Sequence, residues 1–544
     1  KKYSFKDFYS DTMAGLIVAI VALPLSIAFG IASGVTPQQG LITGIVAGFI
    51  ISFLGGSRVQ IGGPTGAFIV IVYNIILQYG FAGLATATMM AGIIMMFMGF
   101  AKIGSWTRFI PLPLIVAFTA GIALLLFSTQ VGDFLGLKID EKVPGEFIGK
   151  WIVYFKYIKT TNIFAIFLSI LTMLIIIYFP RITKKIPSPF LALVVASSIV
   201  KIFGIPVETI GDRFGEIEFG VPQLYLPNFS FETIQALLVP AITIAILGSV
   251  ESLLSAIVSD GMINDKHDSN MELVAQGAAN VITPIFGGIP ATGAIARTAT
   301  NVKSGGKTPI AGILNATFLF LITLFFSPLI SYIPMASLAG VLMVVAYNMS
   351  GWREIRRLLN APRGDVIVLI MTLFCTVLFD LSVAIEIGVI LSSFLFMNKM
   401  YESSYLRALD TKHKSDKIRS IIDKVDLPDN VIIYEPHGAF FFGASTKFDL
   451  ILRQMCESHD YIVFRMKHIY VMDGSGLKVM EDFIKYATSN NARILFLQTS
   501  EDVKKSMKKF GIFKRVNETK DFETVEELLE YIKKVEEKKE NATN

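Results

Sequence analysis

Two stretches of apolar sequence are interrupted in the same way, and they restrict the possible folds more than any other feature of the chain. Ile61–Phe68 reads IGGPTGAF and Gly287–Arg297 reads GGIPATGAIAR, so each places a Gly pair and a Pro ahead of Thr-Gly-Ala. Gly and Pro interrupt helices, and at membrane depth such irregular backbone is stable only where protein buries it or where it lines a cavity. The recurrence roughly 230 residues later indicates one structural unit used twice.

The composition places this unit in a membrane protein. Of the 544 residues, 53% are hydrophobic and only 17% are charged, whereas soluble domains are about one quarter charged. The net charge of +5 gives no sign of nucleic-acid binding. The two cysteines, Cys375 and Cys456, lie in different regions of the chain, so we expect neither a disulfide framework nor a Cys-rich metal site. The five histidines show no zinc-ligand spacing, so we expect neither a metal nor a cofactor.

Apolar runs recur along the first 398 residues as two sets of seven. The first set is Asp11–Ala32, Gln39–Leu54, Pro64–Leu77, Ala82–Ala101, Phe109–Phe127, Ile163–Phe179 and Ser188–Phe203. The second is Ile234–Val258, Leu273–Phe286, Gly293–Val302, Ile310–Phe326, Met335–Tyr347, Asp365–Phe379 and Ser382–Met397. The third run of each set begins at an interrupted stretch and is shorter than the ~20 residues of a full span. Half-length segments at matching positions predict a membrane all-α fold of 14 segments in a 7+7 inverted repeat, over about 11–204 and 233–398.

The basic residues predict the orientation, because positive charge accumulates in cytoplasmic loops. With the N-terminus inside, the predicted inner loops hold Arg58, Lys102, Arg108, Arg181, Lys184, Lys185, Lys303, Lys307, Arg353, Arg356, Arg357 and Arg363. The predicted outer loop Ile205–Glu232 has Arg213 as its only cation, whereas the outer loop Val131–Asn162 is an exception that mixes Lys138, Lys142 and Lys150 with its acidic residues. We therefore expect a multi-pass protein of the inner membrane with both termini in the cytoplasm.

The interrupted stretches suggest an anion site. If each Pro begins a helix, the amides around Thr65–Ala67 and Thr292–Ile295 are free donors that face the break. Two facing helix N-termini offer the equivalent of about one positive charge, so a small inorganic or carboxylate anion fits between them. The alternative is that both stretches are only tight helix crossings.

Ionisable residues inside the spans are candidates for function because their burial in lipid is costly. Glu251 lies well inside its span and is a candidate for proton uptake. Ser255, one turn later on the same face, is a candidate to hydrogen-bond the same coupling ion. Arg297, one turn into the second interrupted helix, is placed to add a permanent positive charge to the anion site. The alternatives are a static ion pair between Glu251 and Arg297, and extension of Arg297 to the cytoplasmic surface.

One motif resembles a nucleotide-binding loop. Asn301–Thr308 reads NVKSGGKT, but it has Asn in place of the first Gly and follows a membrane half-helix instead of a strand. We expect an inner loop here and no nucleotide hydrolysis.

The composition changes after Met397. Residues 399–429 form a charged linker, and 430–540 alternate between strand-like and helix-like patterns. VIIYEP and GAFFFG predict two successive strands, and Ser445–Cys456 predicts a helix. A segment of this size is large enough for its own core, so we expect a cytoplasmic α/β domain.

The chain resembles the SulP family of anion transporters, which carry a C-terminal STAS domain. The resemblance covers nearly all of the sequence. The matching stretches are ALPLSIAFGIASG, SRVQIGGPTGAF, GSVESLLSAIVSDGM, FGGIPATGAIARTATNVKSGGKTPIAG, FDLSVAIEIG and DGSG. It implies core and gate domains, an elevator-like movement, a homodimer, and secondary active transport rather than enzymatic activity.

The resemblance also implies roles for individual residues. Phe29 would face an anion held between Thr65–Ala67 and the second stretch, which contributes Gly293, Ala294, Ile295 and Ala296. Gly66 belongs to the first set of amides. In the STAS part, Ser475 corresponds to a phosphorylated serine of anti-sigma-factor antagonists, which implies a regulatory protein partner; the alternative is that Asp473 and Ser475 only cap a helix.

Two departures from the family pattern leave the substrate open. Leu25 follows Pro24 where many members have Gln, and Ala296 precedes Arg297 where many have a hydroxyl residue. We expect proton-coupled uptake of a sulfate-type anion, with a dicarboxylate or bicarbonate as the alternative substrate. A non-transporting, membrane-anchored regulatory STAS protein is the alternative of another class.

Overall fold

The computed structural model describes residues 3–104, 111–183, 186–215, 224–225, 230–379, 381–403, 405–409, 428, 430–441, 459–515 and 520–543. The chain divides into two compact units, Lys1–Ser392 and Ser393–Asn544. The division falls inside one helix, Leu381–Ser403. The predicted helix Ser445–Cys456 and most of the predicted linker lie outside the described residues.

The first unit is built almost entirely of helices. They are α1 (Phe5–Ala32), α2 (Pro37–Leu54), α3 (Ile69–Phe100), α4 (Leu112–Leu135), α5 (Phe147–Tyr157), α6 (Ile163–Tyr178), α7 (Ser188–Phe203) and α8 (Ile210–Phe214) in the first half. The second half holds α9 (Phe231–Ile263), α10 (Ser269–Ile282), α11 (Ile295–Lys303), α12 (Pro309–Ile330), α13 (Met335–Met349), α14 (Trp352–Leu358), α15 (Arg363–Leu378) and α16 (Leu381–Ser403). Two short strands, β1 (Gly62–Gly63) and β2 (Thr292–Gly293), interrupt this series.

Local sequence determines where several helices begin. Ser4 and Asp7 form a reciprocal capping box at the start of α1, and Thr36 and Gln39 form another at α2, where Pro37 occupies the first turn. Within α3, Gly80 has φ 65° and ψ −174°, so two helices meet there. Glycine permits this break because it adopts a positive φ without steric cost. The junction lies between the predicted third and fourth spans.

With α3 counted as two segments, the 14 spans have the predicted 7+7 order. Eight helices of the described residues are long and apolar enough to cross a membrane on their own, and the short ones include α11, whose nine residues are a half-span. The helices pack as two groups. The core group is α1, α2, α3, α9, α10, α11 and α12, and the gate group is α4, α5, α6, α7, α13 and α15.

The second unit is an α/β domain. Its described elements are β3 (Tyr405–Leu409), β4 (Val431–Phe440), β5 (Tyr461–Arg465), β6 (Ile469–Met472), α17 (Gly474–Ser489), β7 (Arg493–Leu497), α18 (Glu501–Phe510), α19 (Ile512–Arg515), β8 (Asp521–Phe522) and α20 (Val525–Thr543). The strand order is β3-β4-β5-β7-β8, with β6 also paired to β4, and only the β3–β4 pair is antiparallel.

The prediction of two strands over VIIYEP and GAFFFG is wrong. VIIYEP and the first three residues of GAFFFG lie in the single strand β4, whose pairing with β6 shifts register between Gly438 and Ala439. The last two residues of GAFFFG lie outside the described residues. Gly438 has φ 97°, so a local irregularity, not a turn, takes up the Pro-His-Gly sequence. Alternate residues of the sheet are buried on opposite faces. One face holds Tyr434 and Phe464 in a cluster with residues of α17, and the other holds Ile433 and Val463 in a cluster with residues of α20.

Candidate functional site

The two interrupted stretches are in direct contact. β1 and β2 pair antiparallel, with Gly62 opposite Gly293 and Gly63 opposite Thr292. The backbone polar groups of each break are therefore partly satisfied by the other break, as burial in a membrane protein requires. The structure thus places the entrances of both half-helices at one location in the core group.

The two prolines do not begin the helices, contrary to the sequence interpretation. Pro64 follows β1 and precedes a single 3₁₀ turn, Gly66–Phe68, that leads into α3. Pro290 lies five residues before α11, which begins at Ile295. The reason is the long-range pairing of β1 with β2, which holds the residues near each Pro in an extended conformation that proline tolerates at the end of a strand.

Only part of the predicted set of free amides remains free. The amide of Gly293 donates to Ser252 Oγ at 3.1 Å, and the amide of Ala294 donates to the Ile61 carbonyl at 2.8 Å. By contrast, no acceptor among the described residues meets the amides of Gly66, Ala67, Ile295 or Ala296. Four donors from two helix entrances therefore remain for a ligand.

Side chains of α11 bind the loop before the first half-helix. Thr298 Oγ1 accepts the amide of Ile61 at 3.1 Å, and Asn301 Nδ2 donates to the Val59 carbonyl at 2.9 Å. Asn301 is the first residue of NVKSGGKT, the motif that resembles a nucleotide-binding loop. Its hydrogen bond to Val59 gives this residue a structural role within the first unit. The second half-helix is therefore hydrogen-bonded to the segment that leads into the first one.

Arg297 is part of the same connection. Its side chain is 2% exposed, and its guanidinium donates to the Pro64 carbonyl at 2.9 Å. The alternative in which Arg297 extends to the cytoplasmic surface does not describe this structure. Gly63, with φ 151°, lies so close to the guanidinium that any Cβ there would collide with it. A permanent positive charge is thereby held at the first half-helix entrance by a residue from the second.

Glu251 of α9 contacts Thr65, the residue that follows the Pro64 bound by Arg297. Thr65 Oγ1 donates to the Glu251 carboxylate at 3.0 Å. The alternative of a direct ion pair is not found, because no ion pair within 4.0 Å among the described residues joins Glu251 to Arg297. The carboxylate and the guanidinium instead bind consecutive residues, Thr65 and Pro64, so a change in charge at either group acts on the same backbone.

The hydroxyls of Ser252 and Ser255 on α9 form hydrogen bonds with residues of β2 and α11. Ser255 donates to Thr298 Oγ1 at 3.3 Å, so its hydroxyl hydrogen is used in a contact with α11. Ser252, which the sequence interpretation missed, lies 2.5 Å from Thr292 Oγ1 and also accepts the amide of Gly293. Serines at 249, 252, 255 and 259 of one helix were the available signal, since polar residues in a span usually face protein.

Phe29 is buried in the core group near the other predicted residues. It is 5% exposed and belongs to one apolar cluster with Ile69, the first residue of α3. Its helix, α1, packs against α11. Ile295 is 40% exposed, so the start of α11 borders accessible space.

A polar face of α10 supports both interrupted stretches, and the sequence interpretation missed it. Glu272 accepts hydrogen bonds from the amide of Ser57 at 3.1 Å, from Gln60 Nε2 at 3.0 Å and from Gln276 Nε2 at 2.8 Å. Asn280 exchanges two hydrogen bonds with the backbone of Ala291. These side chains are four residues apart and share one helix face. They fix the segments that precede β1 and β2.

A separate cavity of about 880 Å³ lies among α3, α4, α5 and α6. Its lining contains the buried Lys150, and burial lowers the pKa of this ammonium to about 8. None of the half-helix residues described above lines it. The cavity is therefore separate from the paired breaks.

In the second unit, Asp473 caps α17 by accepting the amide of Gly476 at 2.8 Å. Ser475 is exposed in the first turn of this helix. The capping role thus belongs to Asp473, and the side chain of Ser475 points to accessible space.

Comparison with known proteins agrees with this arrangement. The Sulfate permease family profile matches residues 8–372, and the STAS domain profile matches residues 424–540. The chain belongs to the sulfate permease family. Its relatives are transporters, not enzymes.

Two curated relatives and one solved structure define the similarity further. The chain is 37% identical over 97% of its length to the putative sulfate transporter YvdB of Bacillus subtilis, of which it covers 98%. It is 28% identical over 97% of its length to the bicarbonate transporter BicA of Picosynechococcus, of which it covers 95%. The murine Slc26a9 anion transporter superposes with a TM-score of 0.84 at 18% identity, over 94% of this chain and 89% of that one. This sulfate permease family member therefore has the 14-segment inverted-repeat fold followed by a STAS domain.

Proposed function

We propose that this chain takes up a small anion by secondary active transport, with the anion held between the paired half-helix entrances. The observation that carries the proposal is the antiparallel pairing of β1 with β2, which brings four unpartnered amides and the buried Arg297 together. Amides at helix N-termini together with a guanidinium form an anion-binding arrangement. Core and gate groups that pack separately support an elevator-like movement.

Sulfate is the proposed substrate. The relative YvdB, a putative sulfate transporter, has the higher identity of the two curated relatives compared above. Bicarbonate is the second candidate because the similarity to BicA extends over nearly the whole chain. A dicarboxylate is the remaining variant, since backbone donors discriminate little between anions.

Glu251 is the proposed proton-coupling residue. It accepts a hydrogen bond from Thr65, which immediately precedes two of the free amides. A negative carboxylate beside an anion site opposes binding, so protonation of Glu251 and binding of the anion favour each other. This reciprocity is what coupled uptake of a proton and an anion requires.

Uptake by proteoliposomes tests these roles. We expect the wild type to accumulate labelled sulfate against its gradient when an inward proton gradient is imposed. Glu251→Gln should abolish the dependence on the proton gradient, because the amide cannot titrate. Arg297→Ala should raise the KM for sulfate about tenfold or more, because one charge-assisted contact is worth about 1.5–3 kcal/mol.

Matched controls are available on exposed surfaces of the same unit. Glu232→Gln lies on α9 and Arg353→Ala on α14, and both side chains are exposed. Both controls should transport like the wild type. If Glu251→Gln and Arg297→Ala also do so for sulfate, bicarbonate and succinate, the proposed roles are wrong. A wild type that moves none of these anions would instead favour a non-transporting regulatory STAS protein.

We also propose an inner-membrane location with both termini in the cytoplasm, and a homodimer. The distribution of lysine and arginine supports the orientation. Ser475, exposed at a helix N-terminus, is the proposed regulatory position of the STAS domain. Light scattering of the solubilised protein tests the dimer, and phosphate analysis of protein purified from its host tests Ser475.

A further inference from the structure

A cluster of four charged or titratable side chains lies in the STAS domain, outside the anion site. Glu435 and His437 are two residues apart on β4, and His468 lies in the turn before β6. Arg465 ends β5. β4 and β5 are parallel neighbours, and ligands in α/β folds bind beyond the carboxyl ends of such strands.

The distances within this cluster match those between the ligands of one metal ion. The Glu435 carboxylate lies 3.3 Å from His468 Nε2 and 3.6 Å from His437 Nε2. One ligand atom from each of the three residues lies within 4.8 Å of the other two. In a tetrahedral zinc site with bonds of about 2.0–2.1 Å, neighbouring ligand atoms are about 3.3 Å apart.

The two imidazoles are arranged in parallel. Their ring centroids are 4.5 Å apart and the ring planes differ by 7°. Both Nε2 atoms face the same carboxylate. Because a ring nitrogen binds a metal in the plane of its ring, both rings must rotate about their side-chain torsions before the two nitrogens converge on one ion. The 21% and 36% exposure of the two side chains leaves room for this rotation.

Arg465 contacts the same oxygen of the Glu435 carboxylate as His468 does, and Gln498 binds Arg465. Arg465 lies 3.3 Å from the Glu435 carboxylate and donates through Nε to Gln498 Oε1 at 2.8 Å. Gln498 directly follows β7 and has φ 56°, a conformation that is uncommon outside glycine. Metal-ligating carboxylates typically have such outer partners.

We propose that Glu435, His437 and His468 bind one divalent transition-metal ion, with zinc as the best match. Two imidazoles and one carboxylate form a three-ligand set that leaves a fourth position open. The ion would link β4 to the turn before β6, the strand that leads directly to Asp473 and Ser475. The scattered spacing of the histidines in sequence hid this site, since strand pairing brings His437 and His468 together.

The alternative is that the cluster is only an ion pair of Glu435 with Arg465, flanked by two histidines. The two readings differ in what the histidines contribute. An ion pair needs neither imidazole, whereas a metal site loses affinity when either is removed.

Cobalt titration of the full-length protein in detergent separates these alternatives. The protein carries an affinity tag without histidine and is stripped with EDTA, and Co²⁺ binding is followed by its visible absorption. We expect one tetrahedral Co²⁺ per chain, displaced by Zn²⁺. His468→Gln and His437→Gln should each weaken binding at least about 100-fold.

His459→Gln is the matched control, because this histidine is in the same domain outside the cluster, and it should bind Co²⁺ like the wild type. His468 is the least buried of the three proposed ligands, so its replacement leaves the domain folded. The proposal is overturned if the wild type binds no Co²⁺ at micromolar concentrations, or if His468→Gln binds it as tightly as the wild type does.

Discussion

Glu272 shows how a single side chain supports the proposed anion site from outside it. It is fully buried and accepts three hydrogen bonds, two of them from residues of the loop before β1. A buried carboxylate is costly unless such donors compensate for lost water. Its function is therefore to position the first half-helix entrance.

Replacing Glu272 with Gln tests this positioning role. The amide keeps the size of the side chain but turns one acceptor oxygen into a donor, so two donors face each other. The expected cost is about 1–3 kcal/mol of folding stability, which should appear as a lower Tm in detergent and a reduced rate of sulfate uptake. Glu232→Gln, exposed at the start of α9, should leave both unchanged. An unchanged Tm for Glu272→Gln would contradict the role.

At this scale the sequence was informative about residues inside long apolar runs, and less so about their edges. Glu251 and Arg297 interrupt apolar segments, so the sequence alone identified them. In the structure they form hydrogen bonds with two consecutive residues of one loop, Thr65 and Pro64. Glu272 adjoins the predicted run that starts at Leu273, so it resembled a flanking charge. Only packing of α10 against α2 and α3 shows that this position is buried.

At the scale of elements, the paired strands β1 and β2 determine how the half-helices enter. Gly293 sits opposite Gly62, and a Cβ at Gly293 would collide with the side chain of Gln60. Gln60 in turn donates to the Ser252 carbonyl at 3.2 Å and to Glu272 at 3.0 Å. The Gly pair of each motif is therefore required for close packing as well as for interrupting a helix.

Gly293→Ala should disturb this junction. Overpacking of a close contact typically costs about 1–3 kcal/mol, and displacement of the half-helices by about 1 Å should reduce uptake by up to about 100-fold. Gly261→Ala is the control, because this glycine lies inside α9 with open space at its Cβ position, and alanine there favours the helix. Equal uptake and Tm for both variants would show that the junction tolerates a side chain.

The elements themselves were largely predictable, and their junctions were not. Apolar runs placed the ends of the spans to within about eight residues, since membrane thickness restricts their length. The starts of both half-helices were misplaced at Pro64 and Pro290 because the β1–β2 pairing joins residues about 230 positions apart. In the second unit, the Pro-His-Gly sequence lies where the two predicted strands meet, but pairing of β4 on both sides keeps it extended.

At the scale of the whole membrane unit, transport by an elevator requires the core group to slide against the gate group. The described contacts between the groups include a hydrogen bond of 2.9 Å from Tyr73 of α3 to the Val143 carbonyl before α5. Asn74, the next residue, faces Gly145: a Cβ built at Gly145 lies 3.4 Å from Asn74 Cγ. Cysteines at these two positions can therefore form a disulfide between the groups.

The double variant Asn74→Cys/Gly145→Cys, in a background with Cys375 and Cys456 replaced by alanine, should transport when reduced and lose most of its uptake when oxidised. The control pair Gly48→Cys/Ala316→Cys joins α2 to α12 inside the core group, where a Cβ at Gly48 lies 3.9 Å from that of Ala316. Its oxidation should leave uptake unchanged, because both helices move together. Mass spectrometry confirms each disulfide, and uptake is measured before and after dithiothreitol. If the oxidised core–gate pair transports at the reduced rate, the two groups do not slide at this position and the elevator movement must be abandoned.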